Sequence, residues 1–166
     1  MTQDPKHLVR TRRLRTDDAT HLKHPMNPKS EIFVHGLSER AGMQRQHMNI
    51  ARIPPSKESF LPHSHTFQEE WVFVVEGDGI AIVNDAEVAI GPGDYLGFPT
   101  DGTTHHLKNT GQTDLVVLQG GERTAREIAR FPTVGKTALF EPPKVTFFGD
   151  DGATEELNLS LWLATD

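Results

Sequence analysis

His63-Ser64-His65 lies just ahead of the apolar run Trp71-Val72-Phe73-Val74-Val75. In an extended segment residues two apart point to the same side, so these two imidazoles can converge on one ion. Glu70 opens the apolar run and shares a face with Val72 and Val74. A carboxylate turned toward the same interior as two valines is costly unless it is paired, protonated or bound to metal. A second pair, His105-His106, starts another extended segment. There His105, Leu107 and Asn109 share one side, and His106 and Lys108 the other. Because a lysine is better exposed than buried, this parity turns His105 inward and makes His106 part of the wall behind it. The competing carboxylate, Glu69, shares the outward face of Trp71, Phe73 and Val75 and reads as a rim or subunit-contact charge. The chain has no Cys and nine His, so any metal must rest on nitrogen and oxygen, and disulfides, thiolate sites and a Cys nucleophile are excluded.

The elements that must position these groups read as short strands. The run ending at Glu76-Gly77-Asp78-Gly79 is a strand and its turn. Residues 80–83 and 88–90 flank Asn84-Asp85-Ala86-Glu87 and read as two strands joined by a tight hairpin. Gly91-Pro92-Gly93-Asp94 turns the chain again before a strand over 95–98, and further strands follow at 105–107 and 115–118, with one more over 43–53. Short antiparallel strands at this spacing make an all-β sandwich or small barrel. Residues 1–30 lack a period and carry Arg10, Arg12, Arg13 and Arg15, read as an extended N-terminal arm with a solvated or intramolecular basic face. The barrel is assigned to 31–122 and a C-terminal extension to 123–166. Within the extension a helix is expected over 123–130, with Thr124 as N-cap and Pro132 past its end. The stretches 145–148 and 157–163 read as edge strands or a subunit contact.

With 166 residues, 36% hydrophobic and 24% charged, the chain suits one domain with its own core. Seventeen Lys and Arg against 23 Asp and Glu give a net charge of −6, a balance that does not favour nucleic acid. The apolar runs are too short to span a membrane, and the opening Met1-Thr2-Gln3-Asp4-Pro5 is not an apolar signal core, so a cytoplasmic location is expected.

Taken together, these residues resemble the two motifs of the cupin superfamily. The first motif is Gly, five residues, HxH, three or four residues, Glu, six residues, Gly. Here His63-Ser64-His65 is followed by four residues, Glu70, six residues and Gly77. The second is Gly, five residues, Pro, one residue, Gly, two residues, His, three residues, Asn. Here Gly93, Pro99, Gly102, His105 and Asn109 take those places. Two departures stand: the opening Gly of the first motif falls at Lys57, and two residues instead of one separate Pro99 from Gly102. The chain is most similar in pattern to small single-domain bacterial cupins without an established activity.

The resemblance implies a double-stranded β-helix, the jelly-roll cupin barrel, with a divalent ion held by His63, His65, Glu70 and His105. Fe(II), Mn(II), Ni(II), Co(II) and Zn(II) all suit three imidazoles and a carboxylate. With iron, dioxygenation of a chelating small molecule is the favoured expectation. The alternatives are isomerase or lyase chemistry on a small hydroxy or keto acid, or a non-catalytic small-ligand-binding module. His106 is the one candidate for acid–base work. Arg45 and Arg52 are candidate carboxylate clamps, against a blander role in outward ion pairs. Trp71, Phe98 and Gln119 are candidate walls of the substrate pocket, the aromatic pair having packing as its alternative. A homodimer is expected, because exposed apolar strand faces invite a second subunit. The remaining histidines, His7, His21, His24, His35 and His47, receive no role.

Overall fold

The computed structural model describes residues 5–163, so residues 1–4 of the arm and 164–166 of the extension lie outside it. Strands carry the fold: β1 (Thr20–Leu22), β2 (Ile32–Gly36), β3 (Gln46–Ile53), β4 (Ser64–His65), β5 (Glu70–Glu76), β6 (Gly79–Val83), β7 (Ala86–Ile90), β8 (Tyr95–Phe98), β9 (His105–Lys108), β10 (Leu115–Glu122), β11 (Glu127–Phe131), β12 (Lys136–Glu141), β13 (Lys144–Gly149) and β14 (Thr154–Asn158). One short helix, α1 (Leu37–Ala41), ends on Gly42 in the left-handed conformation.

One sheet runs in the order β1-β2-β3-β10-β5-β8. The opposing layer is built from β7-β6-β9 and from β14-β13-β12-β11-β4. An isolated bridge joins those two pieces, between His63 and His105, in which each backbone N–H donates to the other's carbonyl, at 3.2 and 2.8 Å. Between the layers Ala51, Val72, Val74, Leu107, Leu115 and Val117 form one core, while Leu61, Ala129, Phe131, Val145 and Phe147 form a second under the C-terminal strands. The all-β jelly-roll expectation matches this architecture.

Local chemistry explains the turns. Asn84 and Asp85 both take positive φ (47° and 64°), the geometry of a two-residue hairpin whose twist matches its strands. Gly77 at φ 81° turns β5 into β6, and a Cβ there would strike the carbonyl of Asp114. Asn109 is buried and ties the end of β9 down by donating to the carbonyls of Ile53 (2.7 Å) and Thr113 (2.8 Å) while accepting from Gly111 N–H at 2.9 Å. That gives the motif asparagine a structural duty.

Two segments differ from the sequence reading. The helix expected over 123–130 is absent, and β11 stands in its place. Glu127, Ala129 and Phe131 are all buried, a period of two that a helix would break by turning Ala129 away from the other two. The Thr124 hydroxyl donates to Arg126 O at 2.6 Å instead of capping a helix. The helical turns of the extension are short 3-10 turns at Pro132–Val134 and Leu159–Trp162. The N-terminal arm, in turn, supplies β1, which pairs with β2 at the edge of the six-stranded sheet. Among the described residues no helix is long and apolar enough to cross a membrane.

On the outer face of the six-stranded sheet, Phe73, Val75 and Tyr95 are 39%, 50% and 65% exposed. Tyr95 stands directly across from Phe73 in the ladder and stacks on Trp71, with ring centroids 6.5 Å apart.

Candidate metal centre

His63 and His105 face one another across the bridge, and directly opposed residues of an antiparallel pair project to the same side of the sheet. His65, two residues beyond His63, projects with them. Glu70, at the start of β5, comes from the facing sheet. One donor atom from each of the four lies within 4.8 Å of the others. Donors about 2.1 Å from a shared ion stand roughly 3 Å apart when adjacent and about 4.2 Å apart across it, so the cluster needs only slight closure to hold one. The rings offer Nε2: His65 and His105 Nε2 sit 3.2 and 3.5 Å from Glu70 Oε2, and His63 Nδ1 is engaged by the Leu61 carbonyl at 2.7 Å. Phe98 lies flat on His105, with centroids 3.8 Å apart and planes 4° from parallel, and Phe131 stacks against His63 at 5.8 Å. Aromatic packing thus fixes two of the three rings.

The electrostatics also fit a cation. Burial, with two imidazole neighbours, lowers the His63 pKa to about 3. Burial opposes charge on His65 as well, but the carboxylates of Glu127 and Glu70 outweigh it and raise its pKa to about 9. Burial opposes charge on Glu70, yet the imidazoles of His105 and His65 beside it hold its carboxyl well below the usual range. The cluster therefore contains an ionised carboxylate, and without metal a proton on His65 answers it. His65 Nε2 is buried and has no hydrogen-bond partner, an unmet valence that a divalent ion would fill. The residues present fit such an ion.

A cavity of about 320 Å³ opens beside the cluster. Trp71, Phe98 and Gln119 border it, as do Phe131 and Phe140 from the extension. Arg45 and Arg52 do not. Ala51 and Ile53 take the inward face of β3, so Arg52 points outward between Phe33 and Val116, while Arg45 lies exposed ahead of the strand. His106 borders the cavity, but its Nε2 faces Glu58 Oε2 at 3.9 Å, behind β9 from His105. Burial lowers its pKa to about 4. Glu69 is exposed, as its parity requires.

Two residues near the ligands were not singled out by sequence. His47 borders the cavity on the inward face of β3, with Nε2 3.6 Å from Glu70 Oε1. Gly121 makes its room: a Cβ there would come within 2.9 Å of His47 Nε2 and 3.0 Å of Glu70 Cγ. The signal was available, since His47, Asn49, Ala51 and Ile53 alternate onto the core face. Glu127 is the other. It is buried, 3.6 Å from His65 Nδ1, and was hidden by the helix reading of its segment.

His63→Ala and His105→Ala are expected to lose bound metal on elemental analysis, and His106→Ala to keep it. Retention by either of the first two would move the ligand set elsewhere. Because metal must displace the proton on His65, affinity for Mn(II) should rise with pH by up to about tenfold per unit until near pH 9, then level off. Titrations at pH 6.5, 7.5 and 8.5 check this, and a flat profile would contradict it.

The family model for the cupin domain matches residues 49–119. The oxalate-binding protein of Thermotoga maritima is 32% identical over 92 residues, which make up 54% of this chain and 74% of that protein. Among solved structures, a putative sugar phosphate isomerase of Acidithiobacillus ferrooxidans superposes with a TM-score of 0.76 at 24% identity, covering 97% of both chains. A sugar phosphate isomerase of Silicibacter pomeroyi gives 0.74 at 24% identity, over 85% of this chain and 94% of the other. Both superpositions extend beyond the stretch that the family model covers. With its paired histidine motifs, its jelly-roll sheets and this sequence kinship, the chain belongs to the cupin superfamily.

Proposed function

We propose that the protein is a metal-dependent isomerase of a small hydroxy-carbonyl compound. The observation that carries this reading is the convergence of His63, His65, Glu70 and His105 beside a cavity that also holds an uncoordinated imidazole, His47. A divalent ion held by these four residues would supply Lewis-acid polarisation of a carbonyl and of its neighbouring hydroxyl. Isomerisation through an enediol also needs a group that takes a proton from the hydroxyl-bearing carbon and returns it to the carbonyl carbon, while a proton passes from the hydroxyl oxygen to the carbonyl oxygen. His47 meets that need better than His106: it faces the cavity from the side of Glu70, and burial lowers its pKa, so the ring is neutral and able to accept a proton. Gln119, opposite Asn49 in the β3 and β10 ladder, is placed to orient a substrate hydroxyl. Phe98, Phe131 and Phe140 supply the apolar wall. The isomerase names of the two similar structures favour this chemistry over the oxygenation that the same ligand set would support with iron.

The test is anaerobic incubation of Mn(II)-loaded protein in deuterium oxide with a panel of aldoses, ketoses, their phosphates and hydroxy-keto acids, followed by NMR. Deuterium at the carbon beside the carbonyl, together with the isomeric product, is expected. His47→Gln should slow that exchange by about 100-fold or more while keeping the metal. Oxygen uptake by the Fe(II) protein with no exchange anaerobically would overturn the reading in favour of an oxygenase.

We also propose that the outer sheet face around Phe73, Val75 and Tyr95 is covered by a second copy of the chain, since no described segment covers it. Light scattering should return twice the 18.5 kDa chain mass, and a monomer would rule this out.

A further inference from the structure

We propose that Glu127 is a positioning residue of the metal centre, taking the Nδ1–H of His65 and so fixing Nε2 as the nitrogen that this ring offers to the ion. The inference rests on the metal reading above. It assigns a part in the site to the C-terminal extension, beyond the residues 49–119 that match the family model.

A ring that gives its Nε2 lone pair to a metal must carry its hydrogen on Nδ1. The three candidate ligands meet that demand in different ways. His63 Nδ1 has the Leu61 carbonyl at 2.7 Å. His105 Nδ1 is buried without a hydrogen-bond partner, and its ring is held instead by the face of Phe98. His65 Nδ1 is buried too, and Glu127 Oε1 lies 3.6 Å from it, a few tenths of an ångström outside a formed hydrogen bond. Once Nε2 is bound, a buried Nδ1–H left without an acceptor would cost about 1–3 kcal/mol, and a small movement of the ring toward Glu127 avoids that.

Glu127 is built to stay where it is. It is 5% exposed, and its carboxylate accepts the backbone N–H of Thr66 at 2.7 Å and of Phe67 at 3.2 Å, the two residues that follow His65. Its strand is anchored to the same segment: β11 pairs with β4 through Ala129 opposite His65 and Arg130 opposite Ser64, and Thr66 N–H also donates to Ile128 O at 3.0 Å. Backbone and side chain of β11 therefore grip one ligand from behind. A carboxylate that orients a metal-binding histidine in this way typically contributes 10 to 100-fold in metal affinity.

The experiment is titration of the metal-free protein with Co(II), for wild type, Glu127→Gln and Glu127→Ala, and for each substitution in a His65→Ala background. Glu127→Gln keeps an oxygen for the Thr66 and Phe67 amides but loses the charge that attracts the ring hydrogen. It should weaken Co(II) binding by about 10-fold or more, and Glu127→Ala by at least as much. In the His65→Ala background neither change should weaken it further. In wild-type Co(II) protein, proton NMR should show the His65 Nδ1–H as a paramagnetically shifted signal protected from solvent exchange, and Glu127→Gln should abolish that protection. Affinity within twofold of wild type, an equal loss in the His65→Ala background, or a rapidly exchanging His65 proton in the wild type would each overturn the proposal. Because the last readout uses wild-type protein, it decides the matter even where a variant fails to fold. If wild type takes up no Co(II), the metal reading falls and this proposal with it; if wild type binds and Glu127→Gln binds equally, only the role of Glu127 falls.

Discussion

The two backbone hydrogen bonds between His63 and His105 are the constraint on which the rest of the molecule turns. They are a small piece of ladder, but they join the hairpin layer β7-β6-β9 to the C-terminal layer that ends in β4. They also set two imidazoles side by side, because directly opposed residues of an antiparallel pair share a face. The seam of the fold and the floor of the site are thus one feature. Everything else completes it: the period of two adds His65, the facing sheet adds Glu70, and Phe98 and Phe131 press on the rings.

Such a cluster is unfavourable by itself. Three desolvated imidazoles and a desolvated carboxylate in one apolar pocket invite a positive charge, and the metal-free chain answers with a proton on His65 between Glu70 and Glu127. A divalent ion meets the same demand with more charge and with bonds to atoms that are otherwise unmet. Metal and proton would therefore compete for one place, and a bound ion would give the cavity beside it a Lewis acid. That would separate the two duties of the site, since the candidate ligands come from the double-motif core while the cavity wall is shared with β3, β10 and the extension.

Much of this was written legibly in the chain. Residues two apart on a strand share a side, and that rule alone sorted His105 from His106, Glu70 from Glu69 and His63 with His65. What escaped was information that does not lie along one strand. The register that sets His63 against His105 depends on pairing across some forty residues, and no local pattern announces it. Glu127-Ile128-Ala129-Arg130 has good helix formers and a capping threonine upstream, so propensity read it as helix; its pairing with β4 and β12 decides otherwise, since only a strand buries Glu127, Ala129 and Phe131 together. His47 escaped for a simpler reason: β3 is polar at its start, which blurred the alternation that puts it on the core face. The pairing of Arg52 with Phe33 and Val116, which turns that guanidinium away from the cavity, is likewise a fact of register.

The most direct test of the account is anomalous diffraction from crystals of the protein loaded with Mn(II) or Co(II). One strong peak is expected among His63, His65, Glu70 and His105, about 2.0–2.3 Å from the three Nε2 atoms and from a Glu70 carboxylate oxygen. A metal peak elsewhere, or none in a crystal soaked at saturating metal, would contradict the claim that this pocket is a metal centre.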